Sequence, residues 1–386
     1  MKITFLGPAY PYRGGMAAFN ERLAKEFLSE GKDVSIYTFT VQYPKCLSRG
    51  KKQYSESPPP QGIRITRSVN SVNPLSWTST GLRIKRLQPD ILLLRYWTPF
   101  FALCLGTIAR IVRSNSYTVV ISVVDKVQIQ KNRMIEKILT RFFIRSLSGA
   151  VVLSESVSYD LKDYCQKEFP VVYCPHPLFD IYGRAIPVEE AVKALNLDPS
   201  FSYILFFGCV RACKGLDILL RALADSRLLN LRIKLIVAGE FRETETPYRN
   251  LINELNLTDR VILTNKYIRD EDVKLYFSAA DMVIQPYKSF AKISVTQIAF
   301  QFNKPVVTTG LEELKDIVKN NVTGYVVNPD PSAVAEAVSD FYLNDRKADF
   351  TRAIIKDKER FRWNKMTAAV IEVFYKSLLV QLIKAM

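Results

Sequence analysis

One loop carries two cations three residues apart, at the point where a predicted strand gives way to a helix. The segment reads FFGCVRACKGLD over residues 206–217. An arginine guanidinium can bind two phosphate oxygens at once, and a lysine adds a compact positive charge. The N-terminus of the helix that follows favours the same anion. Arg211 and Lys214 are therefore a candidate phosphate site, with two solvated surface cations as the alternative.

Two further loops have the same strand-to-helix setting. The first, GPAYPYRGGM over residues 7–16, contains Gly14 and Gly15, which let backbone N–H groups approach a phosphate or a sugar. It is not G-x-G-x-x-G, so a nicotinamide cofactor is not indicated. The second, QPYKSFAKISVTQIA over residues 285–299, opens a helix near Ser294 and Val295, which is the geometry of an anion site. The alternative is that Ser294 is only an N-cap.

These loops need elements that hold them at one edge of a sheet. Short apolar strands alternate with helical patterns in both halves of the chain, which predicts two doubly wound parallel sheets. Ligands of such sheets bind beside the carboxyl ends of the strands. The predicted strands cover residues 3–6, 34–39, 63–67, 91–94, 118–123, 149–153, 171–173, 203–207, 233–237, 261–263, 282–285 and 306–308. Clustered prolines predict a linker near residues 175–200.

Length and composition bound the class of protein. A chain of 386 residues favours two domains, and 48% hydrophobic residues can give each a core. The six cysteines lack metal-ligand spacing, and one histidine, His176, argues against a histidine-rich metal site. No metal is therefore predicted, and free thiols suit a reducing cytoplasm. The N-terminus has no signal-peptide pattern, and the apolar stretch 96–109 is too short to cross a membrane, so no spanning segment is predicted.

The net charge of +16 is unevenly distributed. Residues 1–180 carry 25 Lys plus Arg against 13 Asp plus Glu, whereas residues 181–386 carry 29 against 25. This asymmetry indicates an anionic partner of the first half. Four cations recur every four residues, beside an apolar face. The cations are Arg133, Lys137, Arg141 and Arg145, and the apolar residues are Ile135, Ile138, Leu139, Phe142 and Phe143. Such a helix can lie on anionic lipid; the alternative is a domain helix with a solvated basic face.

In order and spacing, these motifs resemble the family-four retaining glycosyltransferases of the GT-B fold, especially those of bacterial surface-polysaccharide clusters. The matching segments also include VVLSESVSYDL (151–161), KLIVAGE (234–240), YFSAADMVIQPYKS (276–289) and VTGYVVNP (322–329). The resemblance implies two Rossmann-like domains facing a central cleft. Residues 1–180 would bind the acceptor, and residues 181–362 would bind the nucleotide-sugar donor. A C-terminal helix at about 363–386 would cross back to the first domain.

The resemblance also assigns roles to residues of the donor domain. Lys214 matches the family's diphosphate-binding lysine directly. The family's arginine stands where Cys209 is found here, so Arg211, two positions later, would have to replace it. The helix N-terminus at Ser294 and Val295 matches the segment whose backbone N–H groups meet the distal phosphate.

Further roles follow by the same resemblance. Lys266, Tyr267 and Ile268 match the segment that flanks the nucleotide base. Gly14 and Gly15 match the loop that closes over the donor phosphates from the other domain. Arg13 and Asp125 are candidate contacts to the acceptor or the sugar.

The chain departs from the family pattern at several positions. Two glutamates that usually contact the donor sugar and the ribose are replaced by Phe290 and Ile298. Gln297, beside the second of these, remains as a polar donor-binding candidate. The usual histidine after the 118–123 strand is missing, which leaves Ser122 and Asp125 as the nearby polar residues. His176 matches a structural position of the family.

The expected function is metal-independent transfer of a hexosyl group, with retention, from a UDP- or GDP-linked sugar. The acceptor would be a glycan or a polyprenyl- or lipid-linked glycan of lipopolysaccharide or capsule synthesis. No cofactor is expected, and the protein would be cytoplasmic or peripheral on the inner face of the plasma membrane. One alternative is a degenerate relative that binds or scaffolds without turnover. Nucleic acid is not an expected partner, because the charge is accompanied by no recognition motif.

Overall fold

The computed structural model describes residues 1–44, 54–55, 58–114, 118–125, 127, 134–164, 169–289, 294–311, 314 and 317–385. It divides into two compact units. The first comprises Met1–His176 and Arg362–Met386, and the second comprises Pro177–Phe361. The predicted boundary at residue 180 lies four residues beyond the observed one.

The first unit is built on a seven-stranded parallel sheet of order β3-β2-β1-β4-β5-β6-β7. In chain order its elements are β1 (Lys2–Leu6), α1 (Gly15–Ser29), β2 (Asp33–Val41), β3 (Arg64–Asn70), α2 (Pro74–Leu87), β4 (Ile91–Tyr96), α3 (Ala102–Arg113), β5 (Val119–Val124), α4 (Met134–Ile144), β6 (Gly149–Val152), α5 (Glu155–Lys162) and β7 (Val171–Tyr173). Its central strands are buried on both faces, as a sheet covered by helices on each side requires.

The second unit holds a six-stranded parallel sheet of order β10-β9-β8-β11-β12-β13. Its elements are α6 (Val188–Ala194), β8 (Ser202–Phe207), α7 (Leu216–Leu223), α8 (Ser226–Leu229), β9 (Ile233–Ala238), α9 (Thr246–Glu254), β10 (Val261–Thr264), α10 (Val273–Ala279), β11 (Met282–Gln285), α11 (Ser294–Gln301), β12 (Val306–Thr309), β13 (Gly324–Val327), α12 (Pro331–Leu343) and α13 (Lys347–Asp357). The prediction of two doubly wound parallel sheets is confirmed.

Two sequence predictions need correction here. The predicted linker over 175–200 is wrong across α6, whose Ala191 and Val192 are buried in the core of the second unit. The prolines on either side of this short helix favour a linker, and seven residues are too few to give a clear helical pattern. Strand β13 was not predicted, although it pairs in parallel with β12 along the sheet edge. It has only four residues and opens on Gly324, which weakens any strand pattern.

The last helix, α14 (Trp363–Ala385), belongs to the first unit. Met366, Val370, Val373 and Phe374 are buried in the core formed with the first sheet. The helix lies so close to β6 that a Cβ on Gly149 would lie 2.5 Å from Cγ1 of Val373. Within the described residues, the helical region Lys347–Ile383 is long and apolar enough to cross a membrane by length and composition alone. Its most apolar 18-residue window has a mean hydropathy of 1.5, and 39% of that window is buried inside the protein. A helix packed on a sheet by one face meets the same criterion.

The strand orders fix where each sheet can bind a ligand. The chain first winds outward from β1 to β3 and then returns to β4, so the order reverses between β1 and β4. In the second sheet the same reversal lies between β8 and β11. Connections leave in opposite directions at these points and open a crevice at the carboxyl ends of the two strands.

Candidate functional site

The loops that follow β8 and β11 pack against each other at the reversal point of the second sheet. Gly215 has φ +70°, and a Cβ there would lie 2.0 Å from the carbonyl oxygen of Pro286. The backbone N–H of Lys288 donates to the carbonyl oxygen of Cys213 over 3.0 Å. Only glycine combines this backbone angle with so close an approach. The two loops therefore form one continuous surface at the carboxyl edge of the sheet.

The two predicted phosphate-binding cations lie on a single tight turn of this surface. A 3₁₀ helix covers Ala212–Lys214, and Arg211 is its N-cap residue. At about three residues per turn, positions three apart lie on the same side of such a turn. The Arg211 side chain is exposed, and Lys214 is half-buried with its Nζ 3.6 Å from the ring centroid of Tyr287. The turn thus carries both positive charges within one short segment.

A third cation in this loop pair is held by a carboxylate. The Nζ of Lys288 lies 2.7 Å from Oδ2 of Asp217, in the first turn of α7. Both side chains are about two-fifths exposed, so the pair contributes at most about 1 kcal/mol to stability. Its consequence for the site is electrostatic, because Asp217 offsets the charge of Lys288.

The predicted helix N-terminus lies at the same edge. Ser294 is the first helical residue of α11 rather than its N-cap, so the alternative of a simple N-cap does not describe it. A Cβ on Gly208 would lie 3.7 Å from Cγ2 of Val295, which places the first turn of α11 beside the carboxyl end of β8. The positive end of this helix therefore adds to the field of the two loops. Phe290 lies outside the described residues.

Sequence reasoning missed Tyr287, whose ring lies under Lys214. Its hydroxyl accepts a hydrogen bond of 2.7 Å from Nε2 of Gln285, and its carbonyl oxygen accepts one of 2.7 Å from Thr309. The Gln285 side chain in turn accepts a 2.7 Å hydrogen bond from the Thr296 hydroxyl of α11. These contacts join three separate segments, so no local spacing could reveal them. The one signal was an aromatic residue directly after a strand that ends in proline.

The remaining donor-domain predictions fall in two groups. Lys266 and Tyr267 are exposed in the loop after β10, where a ligand can reach them. Ile268 is buried in the core of the second unit, so its side chain is unavailable to a base at the surface. Gln297 is fully buried, and neither atom of its amide has a hydrogen-bond partner in the described structure. Ile298 packs into the same core.

The glycine loop of the first unit is open. Gly14 is the N-cap residue of α1 with φ +110°, and no side chain among the described residues caps the helix. A Cβ at Gly14 or Gly15 would meet no atom of the described part of the chain within 4 Å. Arg13 is exposed beside them. This arrangement offers the uncapped backbone N–H groups of α1 to a ligand.

A buried ion pair marks the reversal point of the first sheet. Arg95, at the carboxyl end of β4, is 2% exposed, with Nη2 2.6 Å from Oδ1 of Asp125. Its guanidinium carbon lies 3.9 Å from the ring centroid of Phe19. A Cβ on Gly7 would lie 3.4 Å from Cβ of Arg95, which places the pair next to the end of β1.

Three polar atoms of this pair have no hydrogen-bond partner within the described part of the chain. They are Nε and Nη1 of Arg95 and Oδ2 of Asp125. Burial lowers the pKa of Arg95, and the charge of Asp125 opposes that shift. An unsatisfied buried ion pair is costly, so these atoms call for a polar ligand or water. Sequence reasoning named Asp125 but missed Arg95, the one charged residue in the strand ILLLRY.

No metal-binding cluster is found in the ranges that the structure describes, where three His, Cys, Asp or Glu residues never come together in that way. His176 is buried, with its ring centroid 5.2 Å from that of Phe19. It packs in the first unit, as the structural interpretation of that residue predicts.

The two doubly wound sheets define the GT-B fold class, and solved structures of this class match nearly the whole chain. A glycosyltransferase from Rickettsia africae aligns with a TM-score of 0.73 and 16% identity, covering 97% of this chain and 98% of the other. Anabaena HepE in complex with UDP and glucose aligns with a TM-score of 0.69 and 17% identity, covering 97% and 99%. At this identity the likeness establishes the fold.

Sequence comparisons support the family over the second unit. Residues 187–360 match the family described as "Glycosyl transferases group 1". A D-inositol 3-phosphate glycosyltransferase of Xylanimonas cellulosilytica is 28% identical over 205 residues, which are 50% of this chain and 48% of the relative. The corresponding protein of Mycolicibacterium vanbaalenii is 30% identical over 197 residues, 47% of this chain and 42% of the relative. The chain spans about half the length of the curated relatives it matches.

Proposed function

We propose that this protein is a glycosyltransferase that moves a sugar from a nucleotide-sugar donor, bound by the second unit, to a glycan or lipid-linked glycan. The observation that carries the proposal is the turn with Arg211 and Lys214 at the reversal point of the second sheet, beside the first turn of α11. This unit also matches the group 1 glycosyl transferase family. The UDP complex of Anabaena HepE supports a nucleoside diphosphate as the ligand.

The proposed chemistry is transfer with retention and without a metal ion. The bond between the anomeric carbon and the diphosphate oxygen breaks, and the acceptor oxygen bonds to that carbon from the same face. The acceptor's proton passes to the departing diphosphate. Arg211, Lys214 and the N-terminus of α11 stabilise the charge that grows on the diphosphate, which is where preorganised donors lower a barrier most.

In this proposal the acceptor contacts the first unit at the Arg95–Asp125 pair. A sugar hydroxyl can donate to a carboxylate oxygen while it accepts from a guanidinium N–H, so it complements both members of the pair. The pair is neutral overall, which favours a neutral hydroxyl over a second anion at this point. Arg13 and the open glycine loop add polar groups at the same edge.

We further propose that α4 lies on an anionic membrane surface, on the inner face of the plasma membrane, where surface glycans are assembled. Met134, Ile135 and Ile138 are 76%, 72% and 60% exposed. The exposed Lys137 and Arg141 lie among them. Of the predicted apolar face, Ile135 and Ile138 are exposed and could contact lipid, whereas Phe143 packs into the protein together with Ile144. Arg133 lies outside the described residues.

The membrane proposal is tested by sedimentation with vesicles. We expect the full chain to bind vesicles that contain phosphatidylglycerol and not vesicles of phosphatidylcholine alone. Lys137→Glu with Arg141→Glu should abolish binding, whereas the matched double change of two exposed lysines in the second unit, Lys193→Glu with Lys356→Glu, should not. Binding that survives the α4 changes would contradict the role of this helix.

Transfer itself is tested by incubating the full chain with UDP- and GDP-linked hexoses and with polyprenyl-diphosphate-linked acceptors. We expect one donor to release its nucleoside diphosphate only when an acceptor is present, with the anomeric configuration retained in the product. The second candidate function is a degenerate binding protein, favoured by Ile298 in the core where the family has a glutamate. Nucleotide binding without transfer across the acceptor panel would favour that candidate.

A further inference from the structure

We propose that Tyr287 is a positioning residue for Lys214, and that its ring holds the ammonium where it can bind the diphosphate. This inference rests on the proposed function, in which Lys214 binds the diphosphate. It assigns a role to a residue that neither the loop motifs nor the family match identifies.

The contact is between a charge and the face of a ring. Nζ of Lys214 lies 3.6 Å from the ring centroid of Tyr287, within the range where the negative face of an aromatic ring attracts a cation. A ring attracts the ammonium without cancelling its formal charge, unlike the carboxylate of Asp217 that holds Lys288 at 2.7 Å. Lysine is otherwise a flexible side chain with a large rotamer entropy. The ring restricts that freedom.

The ring is itself fixed. Tyr287 is 2% exposed and packs with Leu314, which is fully buried. Its hydroxyl is held by Gln285 over 2.7 Å, and its backbone carbonyl is held by Thr309 over 2.7 Å. Burial raises the pKa of the Tyr287 phenol, so the ring remains neutral. A ring held at its hydroxyl, its backbone and its apolar edge cannot turn away from Lys214.

The same network reaches the second phosphate-binding element. Thr296, in the first turn of α11, donates 2.7 Å to Oε1 of Gln285, which donates in turn to Tyr287. Thr296 and Gln285 are both buried. The ring therefore fixes the position of Lys214 relative to the N-terminus of α11. Two positive groups that act on one diphosphate gain from such a fixed relation, because less order has to be imposed on binding.

The test is a double-mutant cycle on nucleoside diphosphate affinity, measured by calorimetry with UDP and GDP on the full chain. The four proteins are the wild type, Tyr287→Leu, Lys214→Met and the double variant. We expect Tyr287→Leu to weaken affinity about 3- to 30-fold and to have no further effect once Lys214 is Met. Equal losses in both backgrounds would overturn the inference, because they would show that the ring does not act through Lys214.

A second series keeps the shape of the ring and so disturbs the packing less than leucine does. Tyr287→Phe retains the ring and loses the hydroxyl, and its mono-, di- and trifluorinated analogues weaken the negative ring face stepwise. We expect affinity to fall with each fluorine from the value of the Phe variant. An affinity that does not change with fluorination, or a Phe variant that binds as weakly as the Leu variant, would refute the role of the ring.

Two controls separate the possible failures. Tyr203→Leu removes another buried tyrosine, which lies at the opposite end of β8, and should lower stability without changing nucleotide affinity. If Lys214→Met itself leaves affinity unchanged, the proposed diphosphate site fails. If Lys214→Met weakens affinity but shows no coupling to Tyr287, only the inference about the ring fails.

Discussion

Replacing Lys214 by alanine tests the diphosphate site most sharply, because the chain offers a closely matched control. Lys234 lies in β9 with its Nζ 4.2 Å from the ring centroid of Phe201, so it has the same charge and the same kind of ring contact as Lys214. Lys234 pairs in register with Tyr203, near the amino end of the sheet. The two lysines therefore lie at opposite edges of one sheet.

The expected magnitudes follow from this geometry. A charge-assisted hydrogen bond to a phosphate is worth about 1.5–3 kcal/mol, which is roughly a 10- to 150-fold change in affinity. Five residues of strand separate the two edges, or about 16 Å at the usual rise. Over that distance in water a unit charge contributes about 0.3 kcal/mol before screening, which is less than a twofold change.

The assay is calorimetric titration of each full-length variant with nucleoside diphosphate and with the parent nucleoside. We expect Lys214→Ala to lose 10- to 150-fold in affinity for the diphosphate and little for the nucleoside. Lys234→Ala should stay within a factor of two for both ligands. Equal losses in the two variants would refute the reasoning, because a general loss of positive charge would then explain them.

Three further predictions concern the fold that supports this site. Gly215→Ala should lower the free energy of unfolding by at least about 1–2 kcal/mol and weaken diphosphate binding, since its Cβ would strike Pro286; unchanged denaturation and binding would contradict this. Burial lowers the pKa of Lys304 to about 8, so above that pH the unfolded chain binds more protons than the folded chain. The free energy of unfolding should therefore rise from about pH 8 to 10, and Lys304→Met should reduce that rise. Parallel curves of unfolding free energy against pH for the two proteins would contradict this. Burial raises the pKa of Cys104 to about 12, so peptide-resolved alkylation at pH 8 should label the half-buried Cys213 faster than Cys104. Nucleoside diphosphate should slow the labelling of Cys213; equal rates for the two cysteines would contradict this.

The alternating strands and helices could be predicted from the sequence because each is a local pattern. Residues 282–285 were predicted as a strand with the observed bounds, since a short apolar run ends there in proline. The N-cap of α5 is equally local, because the Ser154 hydroxyl accepts from the N–H of Val157 three residues later. Helix α6 was missed because it has only seven residues and lies between prolines at 187 and 199.

The site could be predicted only as far as its parts are local. The turn with Arg211 and Lys214 and the start of α11 each follow a strand, so spacing alone located them. Tyr287 and Arg95 were missed because their partners come from other segments of the chain. Gln297 was predicted as a donor-binding candidate, whereas its side chain is fully buried.

The central claim is that the carboxyl edge of the second sheet binds a diphosphate. The most direct measurement is calorimetry of the wild-type chain with UDP and UMP, and with GDP and GMP. The account predicts that for one base the diphosphate binds at least tenfold more tightly than the monophosphate. Equal affinity of each pair, or no binding of any of the four, would contradict it.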